Sequence, residues 1–163
     1  MVYCETSVCE EEDTNQLTND ELMALDVDVL VLAAMENAIT GQNADAVQAR
    51  AILEIANGPV SPEADRTLAE RGVQVLPDVL VNAGGVIVSH LEWVQNRMGD
   101  TWSEEETNQR LAERLGREAD ACFERAKETN TTLRSAAYMQ AIGRISDAMV
   151  HQGTREYFTG TSR

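Results

Sequence analysis

A glycine-containing junction in the middle of the chain carries the clearest chemical signal. The sequence Asn82-Ala83-Gly84-Gly85 joins an apolar run to a stretch in which apolar residues recur at helical spacing, at Ile87, Leu91, Val94 and Met98. α/β proteins bind ligands at such junctions, because the carboxyl ends of their parallel strands open onto a crevice there. Glycine allows a tight turn or a close approach to a ligand, since it lacks a Cβ. The junction therefore predicts a ligand-facing turn, with a plain strand-to-helix corner as the alternative.

Other residues that could carry chemistry give weaker signals. Asn57 followed by Gly58 is typical of a turn. Ser89 and His90 are adjacent, and neighbouring residues of a helix point about 100° apart, so we do not expect a catalytic dyad. The chain has two histidines and three cysteines, and these supply no cluster of four metal ligands. We expect free, reduced thiols and no metal site, and the cysteines are Cys4, Cys9 and Cys122.

The charge of the chain excludes some classes of partner. Thirteen Lys+Arg against 28 Asp+Glu give a formal net charge of −15, which argues against nucleic acid and anionic membranes as partners. Adaptation to high salt is one interpretation, and an acidic helix surface with one acidic loop is the other. No apolar run approaches the roughly 20 residues of a membrane span, and no secretory signal opens the chain. We expect a soluble, cytoplasmic protein.

The elements that would position the junction alternate between strands and helices. A capping box, Thr18 with Glu21, opens a short helix over 19–25. Ser61 followed by Pro62 opens a second helix, which ends near 71 before a glycine. Apolar runs predict a buried strand over 26–34 and further strands over 51–56, 73–76 and 79–81. Strands and helices alternating at this spacing indicate a parallel sheet.

The rest of the chain is predicted to be helical. A second capping box, Ser103 with Glu106, opens a long helix with one apolar stripe, formed by Leu111, Leu115, Ala119, Cys122 and Ala126. A final helix spans 133–151, with close helix contact at Gly143 and an inward stripe of Tyr138, Ile142, Ile145 and Met149. We predict a single α/β domain over 1–163: an α/β part over 17–101, C-terminal helices over 102–152 and a tail over 153–163.

Three blocks of sequence together resemble a known family. They are residues 17–40, residues 56–96 with the segment NGP, and WSEEE at 102–106 with RSAAYMQAIGRISDAM at 134–149. They are similar to the C-terminal half of the NAD(P)-binding domain of glutamate dehydrogenases, within the Glu/Leu/Phe/Val dehydrogenase family. The resemblance implies the second half of a Rossmann-like dinucleotide-binding fold. It also implies oxidative deamination of L-glutamate to 2-oxoglutarate and ammonia, with NAD or NADP as the acceptor.

The resemblance also implies roles for six residues. By position, Ala33, Ala34 and Asn57 match residues near the nicotinamide and its ribose, and Asn82 matches an asparagine near the cofactor and the substrate. Two further positions match the pocket for the side-chain carboxylate of the substrate, Val86 and Ser89. Asparagine at a strand end offers a donor and an acceptor to a carboxamide, and a hydroxyl in the first turn of a helix adds to N–H groups that favour an anion.

The sequence also departs from the family pattern. Leu32 stands where the family usually has proline, which affects the loop after the first strand. The chain contains no G-x-G-x-x-G motif, and its only lysine is Lys127, in a helical pattern. The family's catalytic lysine and aspartate lie in an N-terminal domain that this sequence lacks. We therefore expect no catalytic residue here and no activity of the chain alone, whether it is a truncated frame, an excised domain or one piece of an enzyme.

A non-catalytic interaction module is the alternative function. Half of a dinucleotide-binding sheet leaves an exposed strand edge and an apolar face. A homo-oligomer, or pairing with an N-terminal half, would cover that surface.

Overall fold

The computed structural model describes residues 17–151 and contains a three-stranded parallel sheet. The strands are β1 (Val29–Leu32), β2 (Ala51–Glu54) and β3 (Gln74–Leu76), and they lie side by side in that order. In register, Val29 faces Ala51, and Ala51 faces Gln74. The predicted α/β class and the parallel sheet are confirmed, and each strand is one to five residues shorter than its predicted apolar run.

Six helices accompany the sheet in the described part of the chain: α1 (Asn19–Met23), α2 (Pro62–Glu70), α3 (Asp78–Val81), α4 (Gly84–Met98), α5 (Glu104–Thr129) and α6 (Leu133–His151). A 3-10 turn covers Ala44–Ala46 between β1 and β2. Both predicted capping boxes are present: the Thr18 and Ser103 hydroxyls accept from the backbone N–H of Glu21 and Glu106, whose carboxylates accept from the cap backbones. Local signals in the sequence therefore set where α1 and α5 begin.

The fourth strand predicted over 79–81 is wrong, because these residues form the helix α3. Pro77 caps the helix, and its carbonyl accepts from the N–H groups of Leu80 and Val81 at 3.0 Å each. Leu80 is buried in a cluster with Cys122, Leu133 and Ala136 of the two long helices. This tertiary packing outweighs the strand preference of a Val-Leu-Val run.

The core lies on one face of the sheet. Leu30 and Leu32 of β1 point into it, together with Ile52 of β2 and the side chains of α2. The strand predicted as buried over 26–34 is buried on one face only, since Val29 and Val31 are 51% and 53% exposed. Among the described residues no layer covers them, and the strand alternates between a buried and an exposed side chain.

The predicted orientation of α6 is also wrong. Leu133 and Ala136 are its buried residues, while Tyr138, Ile142 and Ile145 are half or more exposed, and Met149 is only partly buried. The helix has two apolar stripes, and the one with small alanines packs against α5. A Cβ added at Gly143 would meet nothing within 4 Å, so the expected close helix contact there is absent from the described chain. On α5 the predicted stripe is confirmed, with Cys122 buried at its centre.

Several predictions fall wholly or partly outside the described residues. Cys4, Cys9 and the tail over 153–163 are among them, and the division into an α/β part, helices and a tail stays a prediction. Within 17–151, Cys122 is a free thiol, and no group of three or more His, Cys, Asp or Glu is arranged to hold a metal ion. No helix in the same range has both the length and the apolar character needed to cross a bilayer.

Candidate functional site

The two asparagines singled out in the sequence are in direct contact. The Asn82 side-chain amide donates to Oδ1 of Asn57 at 2.7 Å and to the Ile55 carbonyl at 3.2 Å. Because both acceptors are oxygens, these bonds identify which end of the Asn82 amide is the nitrogen. Asn82 follows α3, and Asn57 follows β2, so the contact joins the glycine junction to the end of a strand. We refer to Asn57 and Asn82 as the amide pair.

A tight turn holds Asn57 in place. Gly58 has φ of +58°, a conformation that suits glycine, and its N–H donates to Oδ2 of Asp78 at 2.8 Å. The Gly58 carbonyl accepts from the N–H of Asn37 at 2.9 Å. The turn after β2 is therefore held from one side by the start of α3 and from the other by the loop after β1.

A buried group of charges supports this turn from below. Glu54, the last residue of β2, is fully buried, and its Oε2 accepts from the backbone N–H of Asp78 at 2.8 Å. Arg134 of α6 donates to Oε1 of Glu54 at 2.7 Å, and the guanidinium lies 3.2 Å from Asp65 and 3.4 Å from Asp78. Burial acts to lower the pKa of Arg134, but its hydrogen bonds to Glu54 and Asp65 outweigh this and hold the pKa above its ordinary value. We call Arg134, Glu54, Asp65 and Asp78 the Arg134 cluster.

Sequence reasoning missed the Arg134 cluster. One signal was available for Glu54: in AILE it shares a strand face with Ile52, so an acid stands where the pattern calls for an apolar residue. A charge in such a position needs a partner. Nothing in the spacing identified Arg134 as that partner, since it lies 80 residues further along the chain.

Ala33 and Ala34 lie at the same end of the sheet as the amide pair. They follow β1, are exposed, and come directly after Leu32, whose carbonyl accepts from the N–H groups of Ile55 and Ala56 at 2.9 Å each. The carboxyl ends of β1 and β2 are therefore joined side by side. This is the edge at which parallel sheets bind ligands.

Val86 and Ser89 lie at the beginning of α4, which starts two residues after Asn82. Both are exposed, and because they are three positions apart they share one helix face. No described hydrogen bond joins Ser89 to His90, whose ring instead stacks on Trp93 with a centroid distance of 5.9 Å.

The amide pair has the polar groups that a nicotinamide carboxamide requires. Within the described chain, no hydrogen bond occupies Nδ2 of Asn57 or Oδ1 of Asn82, so the pair retains one donor group and one acceptor. A carboxamide presents the complementary acceptor and donor. The exposed alanines at the end of β1 place little bulk beside this position. The residues present therefore fit the nicotinamide end of a dinucleotide.

Comparison with known proteins agrees with the fold and the sequence blocks. A family model described as Glutamate/Leucine/Phenylalanine/Valine dehydrogenase matches residues 3–153. The chain is 50% identical over 157 residues to an NADP-specific glutamate dehydrogenase from Synechocystis sp., covering 96% of this chain and 37% of that protein. It is 47% identical over 137 residues to an NAD-specific glutamate dehydrogenase from Staphylococcus aureus, covering 84% of this chain and 33% of that protein.

Solved structures give the same result. A glutamate dehydrogenase from Peptoniphilus asaccharolyticus matches with a TM-score of 0.72 and 46% identity, over 76% of this chain and 31% of that one. A hetero-hexameric glutamate dehydrogenase from Thermus thermophilus matches with a TM-score of 0.81 and 38% identity, over 86% of this chain and 34% of that one. The chain spans about a third of the length of these relatives. It belongs to the Glutamate/Leucine/Phenylalanine/Valine dehydrogenase family.

Proposed function

We propose that this chain is the C-terminal portion of an NAD(P)-dependent glutamate dehydrogenase. The reaction is the oxidative deamination of L-glutamate to 2-oxoglutarate and ammonia, and the chain supplies one wall of the cleft in which it takes place. The observation that carries the proposal is the amide pair, in which Asn57 and Asn82 leave one donor and one acceptor at the carboxyl end of the sheet. The relative from Synechocystis is NADP-specific and the relative from Staphylococcus aureus is NAD-specific. The proposal therefore covers both cofactors.

In this proposal the residues of the chain bind and orient the reactants. The dinucleotide, when bound, accepts a hydride from the amino acid. Asn57 and Asn82 hold the carboxamide of the nicotinamide, and Ala33 and Ala34 allow its ribose to approach the end of β1. Two reactants held in register react far faster than free ones, so this positioning is the contribution of the chain to the rate.

Val86 and Ser89 form the proposed contact with the side-chain carboxylate of glutamate. The Ser89 hydroxyl donates a hydrogen bond to it close to the start of α4, where backbone N–H groups favour negative charge. Val86 provides an apolar surface that keeps water from one side of the substrate.

Both the binding of the cofactor's pyrophosphate and the proton transfer require groups from outside these 163 residues. The sequence has no G-x-G-x-x-G motif for the pyrophosphate, and its only lysine, Lys127, lies in the last turn of α5. We therefore propose that the chain has no activity alone and acts in combination with the part of the enzyme that its relatives carry beyond the matched third. A cytoplasmic location, in which Cys122 stays reduced, is part of the same proposal.

The test has two arms, both assayed for glutamate-dependent reduction of NAD and of NADP. In the first, the purified chain is assayed alone, and turnover above background would contradict its proposed inactivity. In the second, the chain replaces the matched segment of the Synechocystis enzyme. The chimera is expected to be active. If it folds and assembles like the parent but has no activity, the proposed function is wrong.

An exposed apolar surface supports a second candidate, a non-catalytic interaction module. Val29, Val31, Met35 and Ile55 are exposed at or near one face of the sheet, and β1 pairs with no strand other than β2 within the described residues. A second copy, or an N-terminal half of the family enzyme, would cover this face. Size-exclusion chromatography of the chain at low and high salt tests this candidate. A monodisperse monomer at all concentrations argues against self-association.

A further inference from the structure

One arginine joins three elements that are distant in the sequence. Arg134 is at the start of α6, while its acidic partners belong to β2 (Glu54), α2 (Asp65) and the start of α3 (Asp78). The side chain of Arg134 is 20% exposed, and that of Glu54 is fully buried. A planar guanidinium with several N–H donors can contact three carboxylates at once, which the single ammonium group of lysine cannot do with the same geometry.

A series of hydrogen bonds leads from Arg134 to the backbone of Gly58, the residue next to the amide pair. Arg134 donates to Oε1 of Glu54, and Oε2 of the same carboxylate accepts from the N–H of Asp78. Oδ2 of Asp78 accepts from the N–H of Gly58, the residue that follows Asn57. Every step is 2.7 or 2.8 Å long. The turn that carries Asn57 is therefore connected to a residue of the last described helix.

Without the guanidinium of Arg134, the three carboxylates of the cluster would lose the cation that they share. Glu54 and Asp78 would lie close together with no cation between them, and Glu54 has no access to solvent. Asp78 would then move toward water, and the Gly58 N–H would lose its acceptor. The turn that carries Asn57 would open even if the rest of the sheet stayed folded.

We infer that Arg134 is a positioning residue for the amide pair. It acts through Glu54, Asp78 and Gly58 to hold Asn57 against Asn82. The importance of this role for a dehydrogenase rests on the proposed function, but the positioning itself is a property of the chain alone and is measured on it.

The experiment compares two variants of Arg134 with a matched control in the full chain. Arg134→Met removes the charge, and Arg134→Lys keeps the charge but not the planar set of donors. Arg144→Met is the control, because Arg144 lies on the same helix and pairs with Glu118 instead. Nuclear magnetic resonance follows the side-chain amide signals of Asn57 and Asn82 and the hydrogen exchange of the Gly58 amide. The amide of Ala51, which donates to Asp28 at the other end of the sheet, serves as the internal reference.

In both Arg134 variants we expect the Gly58 amide to exchange about tenfold faster relative to Ala51, since a hydrogen bond to a charged group is lost or weakened. The Asn57 and Asn82 side-chain signals are expected to shift toward those of free amides. Arg144→Met should leave both unchanged. If Arg134→Met does not fold, Arg134→Lys decides the question.

Wild-type behaviour of Gly58 and of the amide pair in folded Arg134→Lys would overturn the inference. So would an equal acceleration at Ala51, because it would show general destabilisation rather than positioning. Glutamate-dependent reduction of NAD or NADP by the chimera tests the proposed function separately. An active chimera with no effect of the Arg134 variants on the NMR signals would refute only the positioning, and an inactive but folded chimera with the expected effects of the variants would count against only the proposed function.

Discussion

The side-chain amide of Asn82 donates a hydrogen bond of 2.7 Å to Oδ1 of Asn57, although the two residues are 25 positions apart. The contact joins the end of β2 to the corner between α3 and α4. It places two amides, each with unused hydrogen-bonding capacity within the described chain, at the ligand-binding edge of a parallel sheet.

Replacing Asn82 with alanine removes this contact and the bond to the Ile55 carbonyl. In the active chimera we expect kcat/KM for the dinucleotide to fall about tenfold or more, since one polar contact to the carboxamide is lost and its neighbour is displaced. The isolated chain should lose no more than about 1 kcal/mol of unfolding free energy, measured with urea. Asn96→Ala, at an exposed position of α4, is the control. Equal effects of the two substitutions on kcat/KM would contradict a cofactor role for Asn82.

Replacing Glu54 with alanine removes the fully buried acid of the Arg134 cluster. We expect a loss of about 3 kcal/mol, at the low end for breaking a buried ion pair, because Asp65 and Asp78 remain beside the guanidinium. Urea denaturation of the chain followed by circular dichroism measures the loss. Glu92→Ala, at an exposed site on α4, should leave the midpoint unchanged. A Glu54 variant as stable as the wild type would mean that the cluster adds nothing to stability.

Two isoleucines in opposite environments test the position of the core. Ile52 is fully buried in β2, whereas Ile142 is 62% exposed on α6. Ile52→Ala should cost about 2–5 kcal/mol through lost burial and the cavity left behind. Ile142→Ala should change stability by less than about 0.5 kcal/mol. If the loss at Ile142 matches that at Ile52, the outer face of α6 is covered in solution.

The ion pair between Glu118 and Arg144 predicts a dependence of stability on pH. Burial acts to raise the pKa of Glu118, but the hydrogen bonds and charge of Arg144, with help from Gln140 and Arg117, outweigh it and lower the pKa. A carboxyl with a lowered pKa in the folded state stabilises the protein above its unfolded pKa of about 4.3, and this contribution is lost as the pH falls further.

Comparing wild type with Glu118→Gln isolates this contribution. The difference in unfolding free energy, no more than about 1 kcal/mol for a pair at the surface, should be present at pH 6 and shrink as the pH falls below 4. Glu128→Gln, near the end of the same helix, is the control for effects of low pH on stability that do not involve this ion pair. A difference that grows at low pH would have the wrong sign for this ion pair.

Gly143 offers a route to a more stable chain. It lies inside α6, where an added Cβ would meet nothing within 4 Å, so alanine should stabilise the helix by about 0.5–1 kcal/mol. Gly99 is the opposite case, because its φ of +68° ends α4 and alanine there is strained. Thermal unfolding should show a rise in Tm for Gly143→Ala and a fall for Gly99→Ala. A fall for both would show that Gly143 has a contact that the structure lacks.

Local signals made much of the fold predictable. The two capping boxes, the serine cap before Pro62 and the glycines after α2 and α4 act within a few residues, so they are visible in the sequence. The three strands follow from short apolar runs. The helix α3 was not predictable in the same way, since burial of Leu80 between α5 and α6 decides it, and that packing is a property of the folded chain.

In the site, too, local signals were predictable from the sequence and contacts between distant residues were not. The two asparagines were identified separately, since Asn57 precedes Gly58 and Asn82 opens the junction with Gly84 and Gly85, and the family resemblance suggested a ligand at both places. Their contact with each other was not predicted. The ion pair between Glu54 and Arg134 was missed because the two residues are 80 positions apart, and neither residue indicates its partner in the sequence. The rotation of α6 was missed for a related reason: two apolar stripes compete, and the ion pair at its first turn, with the alanine stripe, selects the inner one.

The long sequence separation within the Arg134 cluster has a consequence for synthesis. Glu54 and Asp65 precede Arg134 by 80 and 69 residues, so the ribosome releases both acids long before their cation. A nascent chain generally folds from its N-terminal part first. The sheet can form early from strands that pair in order, but Glu54 cannot be buried with a partner until α6 emerges. The turn at Gly58, which the Arg134 cluster supports, is therefore completed only after α6, the last helix of the described chain, has been synthesised.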